Sequence, residues 1–177
     1  MNPEPNNLNN IFLIGYRCTG KSSVGRLLAA KLGWPFIDTD LLLVSENGVS
    51  IREIVEKQGW ETFRKMEHDT VKQVCAQNRQ VVATGGGVVL NPANEKLMKK
   101  NGCIVWLQAA PESIKSRMTQ DPNTEAFRPL LTSRDIFTEI EETLAERNPL
   151  YRRAMDFCVQ TDDWRVDEVC DIILQKF

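Results

Sequence analysis

One eight-residue stretch, Gly15-Tyr16-Arg17-Cys18-Thr19-Gly20-Lys21-Ser22, constrains this chain more than any other feature. It satisfies G-x4-G-K-S in full, and its flanks are those the pattern requires. Before it, Ile11-Phe12-Leu13-Ile14 is a short apolar run that reads as a buried strand. After it, a helix is predicted from about Ser22, with Val24, Leu27, Leu28 and Leu32 on its buried side and Gly33 as its stop. A loop set between a strand and a helix aims successive backbone N–H groups, and the positive end of the helix dipole, at one point. That is a cradle for phosphate oxygens. Gly15, Cys18, Thr19, Gly20 and Ser23 are expected to contribute to it. Lys21 is expected to reach the β- and γ-phosphates, and the Ser22 hydroxyl to ligate Mg²⁺. No further glycine of the dinucleotide-binding type follows, and the sequence has no guanine-reading N-K-x-D, so ATP is the expected phosphate donor.

The rest of the chain alternates strands and helices. Pro35-Phe36-Ile37 reads as a second strand ending at Asp38. Ser50-Ile51-Arg52-Glu53 is a capping box that opens a helix stopping at Gly59, and a longer helix is predicted from about Trp60 to Ala76. Gln80 to Thr84 is a third strand, cut off by Gly85-Gly86-Gly87. Asn91-Pro92 marks a helix start, Cys103 to Leu107 a fourth strand, Pro111 another helix start, and Phe157 to Gln160 a fifth strand before a last helix. Short strands that are apolar throughout are buried on both faces, which indicates a parallel sheet with helices on either side. Ligands of such sheets sit at the carboxyl ends of the strands. The phosphate loop, Asp38 with Asp40, and the three glycines all fall there.

The residues Asp38-Thr39-Asp40 are read as an extension of the second strand, with alternation sending both carboxylates one way. One carboxylate can hold magnesium through water; the other can take or orient the proton of an acceptor hydroxyl. At 177 residues the chain fits one domain with a sizeable core, and its net charge of −2 gives no broad basic face for nucleic acid. No apolar run is long enough to span a bilayer. Residues 1–10 are expected to form a disordered arm, and five scattered cysteines without a CxxC point to reduced thiols in a cytoplasmic protein.

Taken together these motifs resemble the shikimate kinases, from Ile11 to the final helix. The resemblance rests on the phosphate loop, Asp38-Thr39-Asp40, Phe63-Arg64 with Glu67, Gly85-Gly86-Gly87, and Arg128-Pro129-Leu130-Leu131 followed by Arg147-Asn148-Pro149-Leu150-Tyr151. It implies a three-layer α/β P-loop kinase with a five-stranded parallel sheet in the order 2-3-1-4-5 and a lid at about 117–131. It also implies ATP and Mg²⁺ as cofactors, shikimate as the small-molecule partner, and a monomer that needs neither nucleic acid nor membrane. In that family pattern Asp40 binds and orients the attacking hydroxyl, and Asp38 stands near the magnesium, bridged by water. Arg64 and Arg147 grip the substrate carboxylate, Gly85, Gly86 and Gly87 bring backbone close to the substrate, Arg117 packs on adenine, and Arg128 closes on the phosphates. The chemistry of the residues agrees: an arginine fork matches a carboxylate, and the polar segment Thr119 to Ala126 suits a lid.

Plainer readings hold for other residues. His68 reads as an ordinary helix position, Cys18 as a small loop filler, and Trp34, Trp60, Trp106 and Trp164 as packing residues. Arg147, next to Asn148-Pro149, is expected near a helix end. A gluconate or nucleoside monophosphate kinase shares the fold, and a binding module without catalysis is the alternative from another class. Phe63-Arg64, the triple glycine and the Arg147-to-Tyr151 pattern together favour shikimate over the first, and the presence together of Lys21, Ser22, Asp40, Arg64, Arg128 and Arg147 argues against the second.

Overall fold

The computed structural model describes residues 10–120 and 135–177. Its centre is β1, Asn10–Ile14, buried at every position and paired in parallel with β3, Gln80–Ala83, on one side and β4, Cys103–Gln108, on the other. β2, Phe36–Asp38, extends the sheet beyond β3, and β5, Phe157–Gln160, extends it beyond β4. The order is therefore β2-β3-β1-β4-β5, with every pairing parallel. Strand alternation divides the core in two. Phe12 and Ile14 pack with Val71, Val74, Met98, Trp106 and Tyr151 on one face; Ile11 and Leu13 pack with Val24, Leu28, Val169 and Ile173 on the other.

β1 starts at Asn10, one residue inside the stretch expected to be an arm. The reason is its side chain: Nδ2 donates to the Gln77 carbonyl at 2.8 Å and Oδ1 accepts from the Gln80 amide at 3.1 Å, so a fully buried polar residue is satisfied at the sheet's lower edge.

Helix α1, Lys21–Leu32, follows the phosphate loop. α2, Thr39–Asn47, corrects the sequence reading at the acidic pair. The strand ends at Asp38, whose side chain caps the helix by accepting from the amides of Asp40 and Leu41. Asp40 thus lies in the first turn of a helix, not in an extended segment. α3, Ile51–Cys75, opens with the expected capping box and is kinked at Gly59, whose φ of 82° and ψ of 166° are non-helical. The predicted stop is therefore a bend between two helical arms, at a conformation that a side chain would oppose.

A short 3₁₀ turn, Val88–Leu90, leads to α4, Pro92–Asn101, capped by Asn91. α5 spans Pro111–Gln120, so Arg117, Thr119 and Gln120, expected at the start of a lid, complete a helix; the remainder of that segment, with Arg128, lies outside the described residues. α6, Ile136–Ala154, runs through Pro149, where the sequence suggested an end near Arg147. Proline removes one helical hydrogen bond. The helix continues because Tyr151 and Ala154, beyond it, are buried in the core, with the Tyr151 ring stacked on Trp106 at 5.6 Å. α7, Val166–Leu174, packs against α1.

Candidate active site

The phosphate loop turns on backbone that L side chains rarely adopt: φ is 139° at Gly15, 96° at Gly20 and, without the help of glycine, 60° at Cys18. A Cβ on Gly15 would strike the Leu107 carbonyl oxygen, so the loop lies tight on β4. Thr19 Oγ1 ties the loop to itself by donating to the Tyr16 carbonyl at 2.8 Å. Buried Lys21 reaches back across it, Nζ donating to the carbonyls of Gly15 at 2.8 Å and Tyr16 at 2.7 Å. Ser23, in the first turn of α1, is exposed.

Ser22 Oγ donates to Asp38 Oδ2 at 2.9 Å, while Asp38 Oδ1 caps α2. A hydroxyl and a carboxylate side by side at the phosphate loop form the hard-oxygen set that suits Mg²⁺, which takes few protein ligands and completes its shell with phosphate oxygens and water. Among the described residues no group of three or more His, Cys, Asp and Glu could hold a metal unaided. The donor set therefore fits a magnesium ion that arrives with a nucleotide.

Beside the loop opens a cleft of about 530 Å³, counting the space at its mouth that is open to solvent. Its apolar wall is Ile51 from the first arm of α3 with Trp60 and Phe63 from the second, so the bend at Gly59 shapes it. Its polar wall comprises Asp40, Arg64, Glu67 and Arg147. The three glycines form its floor. A Cβ on Gly85 would stand 2.7 Å from Asp40 Oδ1 and 2.9 Å from Glu67 Oε1; one on Gly87 would overlap the Arg64 guanidinium, 2.6 Å from its central carbon. The Gly86 carbonyl accepts from Arg147 Nη1 at 3.3 Å and from the Tyr151 hydroxyl. Arg64 donates to Glu67 Oε2 at 2.7 Å and lies 5.4 Å from the Trp60 ring and 5.0 Å from the Phe63 ring. Two buried polar atoms on this wall, Glu67 Oε1 and Arg147 Nε, have no hydrogen-bond partner among the described residues. Burial pushes the Glu67 carboxyl above its usual value against the pull of Arg64, with neighbouring Asp40 adding to the rise.

Across the loop, Arg117 donates from Nη1 to Thr161 Oγ1 at 3.1 Å and to the Cys18 carbonyl at 3.3 Å, and from Nη2 to the Thr161 carbonyl at 3.0 Å. It thus joins the phosphate loop to the end of β5, away from the cleft. Burial works to raise the nearby Asp162 carboxyl, yet hydrogen bonds from Ser113, the Ala110 amide and Gln160 together hold it below the usual range.

Of the residues singled out in the sequence, the cleft gathers Asp40, Arg64, Gly85, Gly86, Gly87 and Arg147, while Gly15, Cys18, Thr19 and Gly20 form the adjoining loop, Lys21 and Ser22 open α1, and Asp38 meets Ser22 from the end of β2. His68 is not in the cleft; its Nδ1 pairs with Asn94 Oδ1 at 2.6 Å. Trp164 is 50% exposed and is not the packing residue expected, whereas Trp60, 39% exposed, packs edge-on against Phe63 with ring centroids 5.8 Å apart. Sequence reading missed Tyr16 and Arg17, both at the cleft, and Glu139, which pairs with Arg17. A signal was present: Glu139, Thr143, Arg147 and Tyr151 recur every four residues, giving α6 a buried polar stripe.

A strand–loop–helix phosphate cradle at the centre of a parallel sheet, with a half-enclosed cleft beside it holding a carboxylate and two arginines, defines a P-loop kinase for a small acceptor. The shikimate kinase family profile matches residues 17–177. The chain is 42% identical over 170 residues to the shikimate kinase of Thermodesulfovibrio yellowstonii, covering 96% of this chain and 95% of that protein. It is 41% identical over 152 residues to that of Nitratidesulfovibrio vulgaris, covering 86% of each. The shikimate kinase of Acinetobacter baumannii, solved in complex with shikimate, superposes with a TM-score of 0.89 at 31% identity, over 96% of this chain and 93% of that one. The chain belongs to the shikimate kinase family.

Proposed function

We propose that this enzyme transfers the γ-phosphate of ATP to the 3-hydroxyl of shikimate, giving shikimate 3-phosphate and ADP in the route to the aromatic amino acids. The observation that carries this reading is the cleft wall, where Asp40 and the pair Arg64 and Arg147 stand beside the phosphate loop. Shikimate is a small hydroxylated carboxylate. Two guanidinium groups match its carboxylate, and Arg147 Nε is a buried donor in need of an acceptor. Asp40 accepts the hydrogen bond of the attacking hydroxyl and takes its proton. The bare floor of Gly85, Gly86 and Gly87 leaves the ring room against backbone.

On the donor side, the amides of Gly15, Cys18, Thr19 and Gly20 and the start of α1 at Ser22 and Ser23 hold the phosphates, and Lys21 exchanges its loop carbonyls for phosphate oxygens. Ser22, and Asp38 through water, would hold Mg²⁺, which would supply positive charge to the β- and γ-phosphates. Arg117, between Cys18 and Thr161, serves the adenine end, and Arg128, in the segment 117–131 that we assign as a lid, serves the phosphates. The enzyme works as a cytoplasmic monomer with no nucleic-acid or membrane partner. ADP release from ATP and Mg²⁺ is measured with shikimate, gluconate, AMP or no acceptor. Release with shikimate alone, and shikimate 3-phosphate in the product, is expected; equal release with gluconate or AMP contradicts the reading.

A further inference from the structure

Arg17 is the second variable residue of the phosphate loop. Yet it is 6% exposed and lines the acceptor cleft. Its guanidinium is held on two sides. Nη2 is paired with Glu139, a residue 1% exposed in the first turn of α6, and Nε donates to the Tyr16 hydroxyl at 3.2 Å. A guanidinium has five N–H donors. Among the described residues these two contacts fix its plane and leave the other N–H groups for a ligand.

Position decides which ligand. Along the cleft floor, Gly87 lies under Arg64 and Gly85 under Asp40, whereas Gly86 abuts the loop itself, where a Cβ would be 3.5 Å from the Arg17 amide nitrogen and 3.5 Å from the Gly15 carbonyl oxygen. Arg17 therefore belongs both to the loop that cradles the donor's phosphates and to the wall of the acceptor cleft. The acceptor carries one carboxylate, and Arg64 with Arg147 already match it. Glu139 meets the charge of Arg17 but takes only one of its N–H groups, and the other anion that enters this cleft, beside the carboxylate, is the transferred phosphoryl group.

We propose that Arg17 binds the phosphoryl oxygens on the acceptor side of the phosphate loop, during transfer and in the phosphorylated product, with Glu139 as the residue that positions it. The proposal rests on the reading that the chain phosphorylates shikimate. In the step, the acceptor oxygen bonds to the γ-phosphorus as the bond to the β,γ-bridging oxygen breaks. That oxygen leaves with the electron pair on ADP, and the hydroxyl proton passes to Asp40. Arg17 meets the three oxygens that stay on phosphorus, where charge builds in the transition state.

The test uses Arg17→Met and the double variant Arg17→Met with Glu139→Gln. The double variant removes both buried charges at similar volume, so it folds even where the single one does not. Turnover at saturating ATP and shikimate is expected to fall ~100-fold in either folded variant. Titration calorimetry is expected to show affinity for shikimate 3-phosphate falling at least ~10-fold while that for shikimate holds within ~2-fold. A parallel loss of affinity for both ligands would place Arg17 on the carboxylate and overturn the proposal, and so would wild-type turnover in the double variant. Wild-type enzyme is the control: no turnover of shikimate there defeats the functional reading, whereas normal turnover there beside an unimpaired double variant defeats the role of Arg17 alone.

Discussion

Arg64 donates to one oxygen of Glu67 at 2.7 Å and leaves the other, Oε1, buried beside Asp40 with no hydrogen-bond partner among the described residues. One carboxyl thus orients an arginine and crowds a second carboxylate, and burial raises its pKa above the ordinary glutamate range. The sign follows. The folded state holds a proton on Glu67 that the unfolded chain has already released, so stability is greatest below the unfolded value and falls as pH rises toward the folded one. Glu67→Gln removes that fall. Thermal melts of both proteins from pH 4 to 8 are predicted to show a stability difference that shifts in favour of the variant as pH rises. A difference constant across that range contradicts the environment assigned to Glu67.

Arg64 is held by Trp60, Phe63 and Glu67 on the acceptor wall of the cleft. Arg64→Ala should weaken shikimate binding by about 2 kcal/mol, roughly 30-fold, as expected for a lost charge-assisted hydrogen bond. ATP affinity should be unchanged. Calorimetry with each ligand separates the two, and equal loss of both argues that the variant is misfolded or the role misassigned.

Two glycine substitutions should fail differently. On Gly15 a Cβ meets a backbone carbonyl at a φ of 139°, so Gly15→Ala is predicted to lower stability by about 2–3 kcal/mol. On Gly85 the nearest atoms it meets belong to the Asp40 and Glu67 carboxylates, and the half-buried Asp40 side chain can give way where a backbone carbonyl cannot. Gly85→Ala should therefore melt within a few degrees of wild type while losing ~100-fold in turnover through displacement of Asp40. Denaturant unfolding and turnover, measured on both, test the contrast; a Gly85→Ala protein with intact turnover contradicts the placement of Asp40.

What was legible in the sequence was what local pattern encodes. The phosphate loop announced itself by spacing, the strands by short apolar runs, and Gly33, Ser50 and Asn91 by the chemistry of helix ends. The misreadings have tertiary causes. Asp38 caps a helix because Ser22, sixteen residues earlier, holds its other oxygen, so Asp40 sits on a helical turn that alternation could not foresee. α6 survives Pro149 because Tyr151 is anchored on Trp106 and Gly86. Arg17 looked like a variable loop position, since its partner Glu139 lies 122 residues away. The polar stripe on α6 was written in the sequence at a helical spacing, but polar residues at that spacing ordinarily mark a solvated face.

The most direct test of the account is Asp40→Asn, which keeps the shape of the side chain and removes its charge. Turnover of shikimate is predicted to fall ~1,000-fold or more with the loss of the proton acceptor, while ATP and shikimate still bind within ~3-fold of wild type. Turnover within ~10-fold of wild type would show that the proton leaves by another route, and would contradict the placement of Asp40 at the reacting hydroxyl.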